Sequence, residues 1–385
     1  MKSDIRFMNE VFRIVSGALR LDVDKVRNYT TFLAQKLEES GDIATAERLR
    51  KLLKESDHTL RPAGVSLAHP PVDNESRFPL LERVSPAQSV DQESPLVLSP
   101  ALSNTVAEFL SVVRSTAQFD APGIATAYNM LLYGPPGCGK SRLARHIAYE
   151  LGLDLYIARL VGLISSYLGS TSKNIRAVFE FASKTPCVLF LDEFDAIAKL
   201  RGDQQEVGEL KRVVNTFLQS LDALSPQTVV IAATNHEELL DRAVWRRFTY
   251  HLHLTYPGPE ERAAHWEHAL KGIGFMAKER EVLVDLSEGL SASDIYNIAQ
   301  RLHRRRHTTG TPGTLGHALQ GLITIGGTDR IGKPFITSLV GHSNSRMAEI
   351  LRRRSKKLYS YAILARLFGM SKATAYRLTE EVTHG

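Results

Sequence analysis

Two cysteines in 385 residues leave no disulfide framework, so the chain must be held by its core and suits a reducing compartment. There is no apolar run long enough to span a bilayer. The first residues, Met1-Lys2-Ser3-Asp4-Ile5-Arg6, carry neither a continuous apolar stretch nor a small-residue cleavage site, and the expectation is a cytoplasmic protein with no membrane partner. The zinc-binding H-E-x-x-H and the G-x-S-x-G elbow are both missing, so the chain has no protease signature of its own. No internal repeat and no extreme composition is present. At 43% hydrophobic and 23% charged residues, the chain reads as a globular protein of two or three domains.

What is there is a phosphate-binding loop. Leu131-Leu132-Tyr133 ends an apolar strand pattern, Gly134-Pro135-Pro136-Gly137-Cys138-Gly139-Lys140-Ser141 follows, and a helix pattern continues. Glycines at 134, 137 and 139 let the backbone curl so that its N–H groups point inward at phosphate oxygens. The next helix opens at Lys140-Ser141, which turns its positive dipole end toward the same phosphates. Lys140 would reach the β- and γ-phosphates of ATP, and the Ser141 hydroxyl would ligate Mg²⁺.

Three further patterns follow in order. Val188-Leu189-Phe190-Leu191 is an apolar run ending in Asp192-Glu193, as expected of a strand buried on both faces with acids at its ligand-facing end. Asp192 would hold Mg²⁺ with Ser141, and Glu193 would activate the attacking water. The same acids also suit the cap of the following helix. Val229-Val230-Ile231-Ala232-Ala233-Thr234 ends in Asn235, which would position that water, or else cap the next turn. Arg246 and Arg247 lie beyond it, either as a solvated pair or as groups that neutralise transition-state charge in a neighbouring subunit.

Taken together, GPPGCGKS, LFLDEFDAIAKLRGD, GELKRVVNTFLQSLD and IAATNHEELLDRAVWRRF resemble the AAA ATPases in their protein-remodelling branch. The resemblance runs from about residue 121 to 307. It implies Lys140 and Ser141 as Walker A residues, Asp192 and Glu193 as Walker B residues, Asn235 as the sensor, and Arg246 and Arg247 as trans-acting fingers. It further implies a ring, expected to be a hexamer, that acts on a protein substrate. In such a ring Tyr167 and Leu168 would form the first pore loop, although a tyrosine at that place also fits an ordinary core position. Ala292 stands where many relatives carry Gly, and Cys138 where many carry Thr. The latter would make the enzyme sensitive to thiol reagents if the thiol is exposed. Details of the LFLDEFDAIAKLRGD stretch and of the N-terminal helices are similar to bacterial AAA ATPases found beside subtilisin-like serine proteases, which implies a protease partner in plasmid maintenance or phage defence.

The expected fold is α/β, a P-loop NTPase parallel sheet with a helical lid. Residues 1–55 read as an amphipathic N-terminal helical bundle, 56–103 as a Pro/Ser-rich linker, 104–257 as the ATPase α/β domain and 258–325 as the lid. Pro79-Leu80-Leu81, inside the linker, would dock on the ATPase surface. Residues 326–385 form a basic region with a helix-turn-helix-like pattern: two short helices flank Gly369, Ser371 caps the second, and Lys372, Thr374 and Arg377 stand ready for DNA. From Arg301 onward there are 15 Lys and Arg against 4 Asp and Glu, a net +11, which leaves −5 on the rest of a chain whose total is +6. Such segregation marks either an anion-binding surface or a solvated helical face. A DNA-targeted ATPase is therefore the alternative to protein remodelling.

Overall fold

The apolar runs at 128–133, 187–192 and 229–234 become neighbouring strands of one sheet. The computed structural model describes residues 11, 14–15, 23–55, 70–73, 77–86, 96–115, 128–160, 168–196, 207–224, 228–240, 242–310, 313–326 and 334–380. In chain order the regular elements begin with helices α1 (Val23–Glu39) and α2 (Ile43–Glu55), strand β1 (Glu82–Val84) and helix α3 (Pro100–Ser115). Then come β2 (Tyr128–Tyr133), α4 (Lys140–Leu151), β3 (Asp154–Arg159), α5 (Leu168–Lys184), β4 (Cys187–Asp192), α6 (Val207–Asp222), β5 (Val229–Thr234), the short α7 (Arg242–Trp245) and β6 (Tyr250–His253). The remainder is helical: α8 (Pro259–Ala269), α9 (Ala277–Leu286), α10 (Ala292–Thr309), α11 (Leu315–Gly326), α12 (Asn344–Arg354), α13 (Tyr361–Phe368) and α14 (Lys372–Glu380), with a 3₁₀ turn at Phe335–Leu339.

The sheet order is β1-β3-β4-β5-β2-β6, parallel throughout except for the antiparallel edge strand β1. Strand alternation sends successive side chains to opposite faces. On β4, Cys187, Leu189 and Leu191 join one core with Phe179 and Phe217, while Val188 and Phe190 join the other with Phe109, Leu143 and Ile147. Both faces are therefore covered by helices, which is why β4 is apolar from Cys187 to Leu191 and β5 from Val229 to Ala233. Because β5 lies between β4 and β2, the C-terminal ends of all three open on the same edge.

Two features depart from the simple sequence division. The stretch 56–103, read as linker, contributes β1 to the sheet: Glu82, Arg83 and Val84 pair with Ile157, Tyr156 and Leu155. The cause is apolar burial: Leu81 and Val84 enter the two cores, so the short apolar piece expected to dock does so. At the other end, one core runs from Trp266 through Leu302, Leu322 and Leu351 to Ala375. The helices on either side of residue 326 thus belong to a single helical body. Two glycines allow its tight crossings: a Cβ on Gly316 would come within 2.9 Å of the Leu367 carbonyl oxygen, and one on Gly326 within 2.7 Å of Ile336.

Among the described N-terminal residues, α1 and α2 form a helical hairpin closed on the small side chains of Ala34 and Ala46. Gly41 turns the chain at φ 93, and Arg50 pairs with Glu38 across the hairpin. No described helix is long and apolar enough to cross a membrane.

Candidate functional site

Most of the groups that the sequence assigns to nucleotide chemistry, Pro136 to Ser141, Asp192, Glu193 and Asn235, line a cleft of about 540 Å³, and Gly134 and Pro135 precede them in the same loop. Its floor is the loop between β2 and α4. Gly134 has φ 128, and a Cβ there would meet the Leu254 carbonyl oxygen at 2.1 Å; only glycine lets the loop turn this close to the chain after β6. Gly137 (φ 78) and Gly139 (φ 98) are also left-handed. Gly139 is the N-cap of α4 and supplies no side-chain bond to it, so the first N–H groups of that helix are directed at the cleft with the dipole behind them.

Lys140 is buried, and its ammonium donates to the carbonyl oxygens of Gly134 at 2.6 Å and Pro135 at 2.9 Å. Burial lowers its pKa, while nearby Cys138 and Asp192 act in the opposite sense. The lysine is thus pre-positioned inside the loop whose phosphate it would serve. Cys138 is half-buried, and burial pushes its thiol up to about 11. At neutral pH it holds its proton, which lowers the reactivity toward thiol reagents expected of an exposed thiol.

The end of β4 supplies the acids. Asp192 Oδ1 accepts from the Glu193 backbone N–H at 2.9 Å. Glu193 adopts φ 55, a left-handed conformation that costs a non-glycine residue free energy and is tolerated where the surroundings impose it. The next residue explains how: the Phe194 N–H donates to the Ala233 carbonyl at 2.8 Å, and the Phe194 ring is buried against Phe217 and Phe248. The acid is therefore locked to β5, and Asn235, at the end of β5, lines the same cleft with Asp192 and Glu193. Below it, Thr234 is fully buried and its hydroxyl accepts from the His236 N–H at 3.0 Å, which fixes the strand end.

The donor set fits Mg²⁺ brought in with a nucleotide. Ser141 and Asp192 both line the cleft. Two oxygen ligands suffice for an ion that keeps waters and takes phosphate oxygens. Among the described residues no group of three or more His, Cys, Asp or Glu forms a self-contained metal cage.

The helical body closes the cleft. Gly137 again shows why glycine is needed: a Cβ would lie 2.7 Å from Ser291 Oγ. The Ser293 N–H donates to the Gly137 carbonyl at 3.2 Å, so the start of α10 is bonded directly to the phosphate loop. Ser291 and Asp294 form a buried capping box, with the Ser291 hydroxyl donating to Asp294 Oδ2 at 2.7 Å. Sequence reasoning missed several contributors to the wall. His265 on α8 and Tyr296 on α10 approach at 3.4 Å, and Leu96 precedes α3. A lone histidine and an aromatic on amphipathic helices carry no motif, so nothing marked them before the lid was folded onto the loop.

The remaining assignments are distributed differently. Arg247 is tied down within its own chain, with Nε donating to Asp222 Oδ1 at 3.0 Å and Nη1 to the Ala243 carbonyl at 2.8 Å. Arg246 is exposed and makes no side-chain bond among the described residues. Neither lines the cleft of its own chain. Tyr167 lies outside the described residues, and Leu168 is described only as the first residue of α5. In the C-terminal pair, Lys372 and Arg377 are exposed, whereas Thr374 turns its hydroxyl to Ser371 Oγ at 2.8 Å and takes part in the helix cap.

Residues 130–256 match the model of the ATPase family associated with various cellular activities, AAA. The chain is 41% identical over 211 residues to an uncharacterized AAA family ATPase of Sinorhizobium fredii, a match covering 55% of this chain and 63% of that one. It is 36% identical over 182 residues to a putative 26S proteasome regulatory subunit homolog of Methanothermobacter marburgensis, covering 46% and 49%. The match thus spans less than two thirds of either relative. Among solved structures, the FIGL-1 AAA domain superposes with a TM-score of 0.50 at 25% identity, over 59% of this chain and 80% of that one.

Proposed function

Starting from the AAA ATPase domain at residues 130–256, we propose that this chain hydrolyses ATP in a ring of identical subunits, a hexamer, and uses the hydrolysis to remodel or thread a protein substrate in the cytoplasm. The observation that carries the reading is the convergence of Lys140, Ser141, Asp192, Glu193 and Asn235 on one cleft. Lys140 and the loop N–H groups bind the phosphates. Ser141 and Asp192 would hold Mg²⁺, which offsets the charge on the β- and γ-phosphate oxygens when bound. Glu193 takes the proton of the attacking water, and Asn235 orients that water.

Arg246 serves the neighbouring subunit's site. Support comes from its exposure and from its absence from the lining of its own chain's cleft, whereas Arg247 is held by Asp222 and braces the end of α6. Tyr167 and Leu168 grip the substrate in the channel. A serine protease that receives the threaded chain, in plasmid maintenance or phage defence, is the partner that fits this activity; the Methanothermobacter relative is itself named for a protease complex.

The deciding experiment is the steady-state ATPase rate as a function of protein concentration. Wild type should show a steep rise on assembly. Glu193→Gln should bind ATP and turn over at least ~100-fold more slowly. Arg246→Ala should be slow alone and regain turnover when mixed with Glu193→Gln, because each variant then supplies what the other lacks. A rate per subunit independent of concentration, together with no complementation, would overturn the shared-site reading. Tyr167→Ala should keep ATP binding and lose remodelling; full remodelling in that variant would remove the pore-loop assignment.

A further inference from the structure

Helices α12, α13 and α14 form a compact unit on the outside of the helical body. α13 ends at Gly369, left-handed at φ 65, and the Met370 N–H returns to the Ala365 carbonyl at 2.9 Å. Ser371 caps α14 by accepting from the Thr374 N–H at 3.1 Å. Ala375, small and fully buried, lets α14 cross closely over α13. From behind, the Ser345 hydroxyl on α12 donates to the Leu378 carbonyl at 2.9 Å. One short helix is thus held by two others through Ala375, with Lys372, Ala373, Tyr376 and Arg377 left exposed.

The outward face is chemically one-sided. Lys372, Ala373, Tyr376 and Arg377 are exposed on consecutive turns of α14, and with Tyr361 they line a shallow groove. Tyr361 and Tyr376 meet edge to face at 5.1 Å, and the Arg352 guanidinium lies 4.1 Å over the Tyr361 ring. The lining contains two cations and no carboxylate, and it sits on the +11 end of the chain. Structural ion pairs have consumed other arginines here: Arg353 and Arg346 face Glu349, Arg354 faces Asp285, and Arg366 faces Glu279. Lys372 and Arg377 have no such partner among the described residues.

We propose that this face is a binding site for duplex DNA, with α14 entering the major groove. Lys372 and Arg377 neutralise backbone phosphates, and Tyr376 packs against the groove edge. The groove of B-form DNA, about 12 Å wide, admits a single helix presented end-first by a supporting pair, whereas the deep, narrow groove of A-form RNA does not. The same helical body carries Ser293, which bonds to the phosphate loop, so the proposed DNA surface moves with the lid.

The test uses the full chain and a fluorescein-labelled 20-base-pair duplex read by anisotropy across a salt series. Wild type should bind with an affinity that falls steeply with salt. Lys372→Ala/Arg377→Ala should weaken binding at least ~10-fold at about 0.15 M salt and reduce the log–log salt slope by about 2. Its ATPase rate and melting temperature should stay at wild-type values, since both side chains are exposed. No binding by wild type, unchanged affinity in the double variant, or equal competition by duplex RNA or polyglutamate would overturn the proposal.

Discussion

At the ends of the central strands the polar groups are left open toward a cleft; inside the helical body they are spent on one another. Asp192, Glu193 and Asn235 stand at strand ends, and Glu193 does so in a costly backbone conformation. In the helical body, Trp266 Nε1 donates to Ser287 Oγ at 2.9 Å, the Tyr359 hydroxyl donates to Asp285, and the Arg354 guanidinium bonds Asp285 at 2.8 Å while lying 3.9 Å over the Phe335 ring. Open valences make a chemical site, and closed ones make a rigid lever. The two meet at Gly137, where the lever is bonded to the loop.

The largest expected effect separates the two bodies outright. Lys140→Ala removes the buried cation of the loop and should weaken ATP binding by at least ~100-fold, on the order of 3 kcal/mol. It should leave the unfolding of the helical body unchanged. A nucleotide titration paired with hydrogen exchange on α8 to α14 checks both halves, and loss of protection across those helices would break the comparison.

Next in size is the junction. Gly137→Ala must bear a positive φ and also displace Ser291, whose Oγ would lie 2.7 Å from the new Cβ. Gly139→Ala bears a positive φ with nothing within 4 Å. The first should cost about 1–3 kcal/mol more than the second, seen as roughly 10-fold weaker ATP binding and faster exchange of the Ser293 amide. Equal behaviour of the two variants would mean that the lid does not report on the loop.

The same contrast explains what the sequence made legible. The phosphate loop, the acids after β4 and the polar end of β5 are local: glycines, a continuous apolar run and a terminal polar residue lie within a few positions of each other, so the pattern announces the geometry. The edge strand β1 was not legible, because three residues inside a Pro- and Ser-rich stretch show no periodicity and are fixed only by pairing with β3. Nor was the single core joining α8 to α14, because amphipathic helices declare that one face is buried but not against which partner. Gly316 and Gly326 signal close crossings only once Leu367 and Ile336 stand beside them. The split of Arg246 and Arg247 into a free and a tethered residue likewise depended on Asp222, distant in sequence.

A smaller effect tests the closed valences. Tyr359 is fully buried, and its hydroxyl donates to Asp285, a partner it shares with Arg354. Tyr359→Phe should lower stability by about 1–2 kcal/mol and shift the urea midpoint of the helical body, with ATP affinity unaltered. An equal loss of ATP affinity would show that the lever's internal bonds reach the site.

The smallest effect sits where the two regions touch through a titratable group. His265 is buried in the cleft wall beside Tyr296, and burial, with Arg142 and His268 adding in the same direction, pushes its imidazole down to about 4 from an ordinary 6.5. Between those values the unfolded chain binds a proton that the folded chain refuses. Its contribution to stability is therefore complete above about pH 6.5 and is lost progressively as pH falls toward 4. His265→Gln keeps a polar side chain of similar reach and removes the titration. Melting temperatures taken from pH 7.5 to 4.5 should fall less in this variant than in wild type. Parallel curves would place the acid sensitivity at groups other than His265.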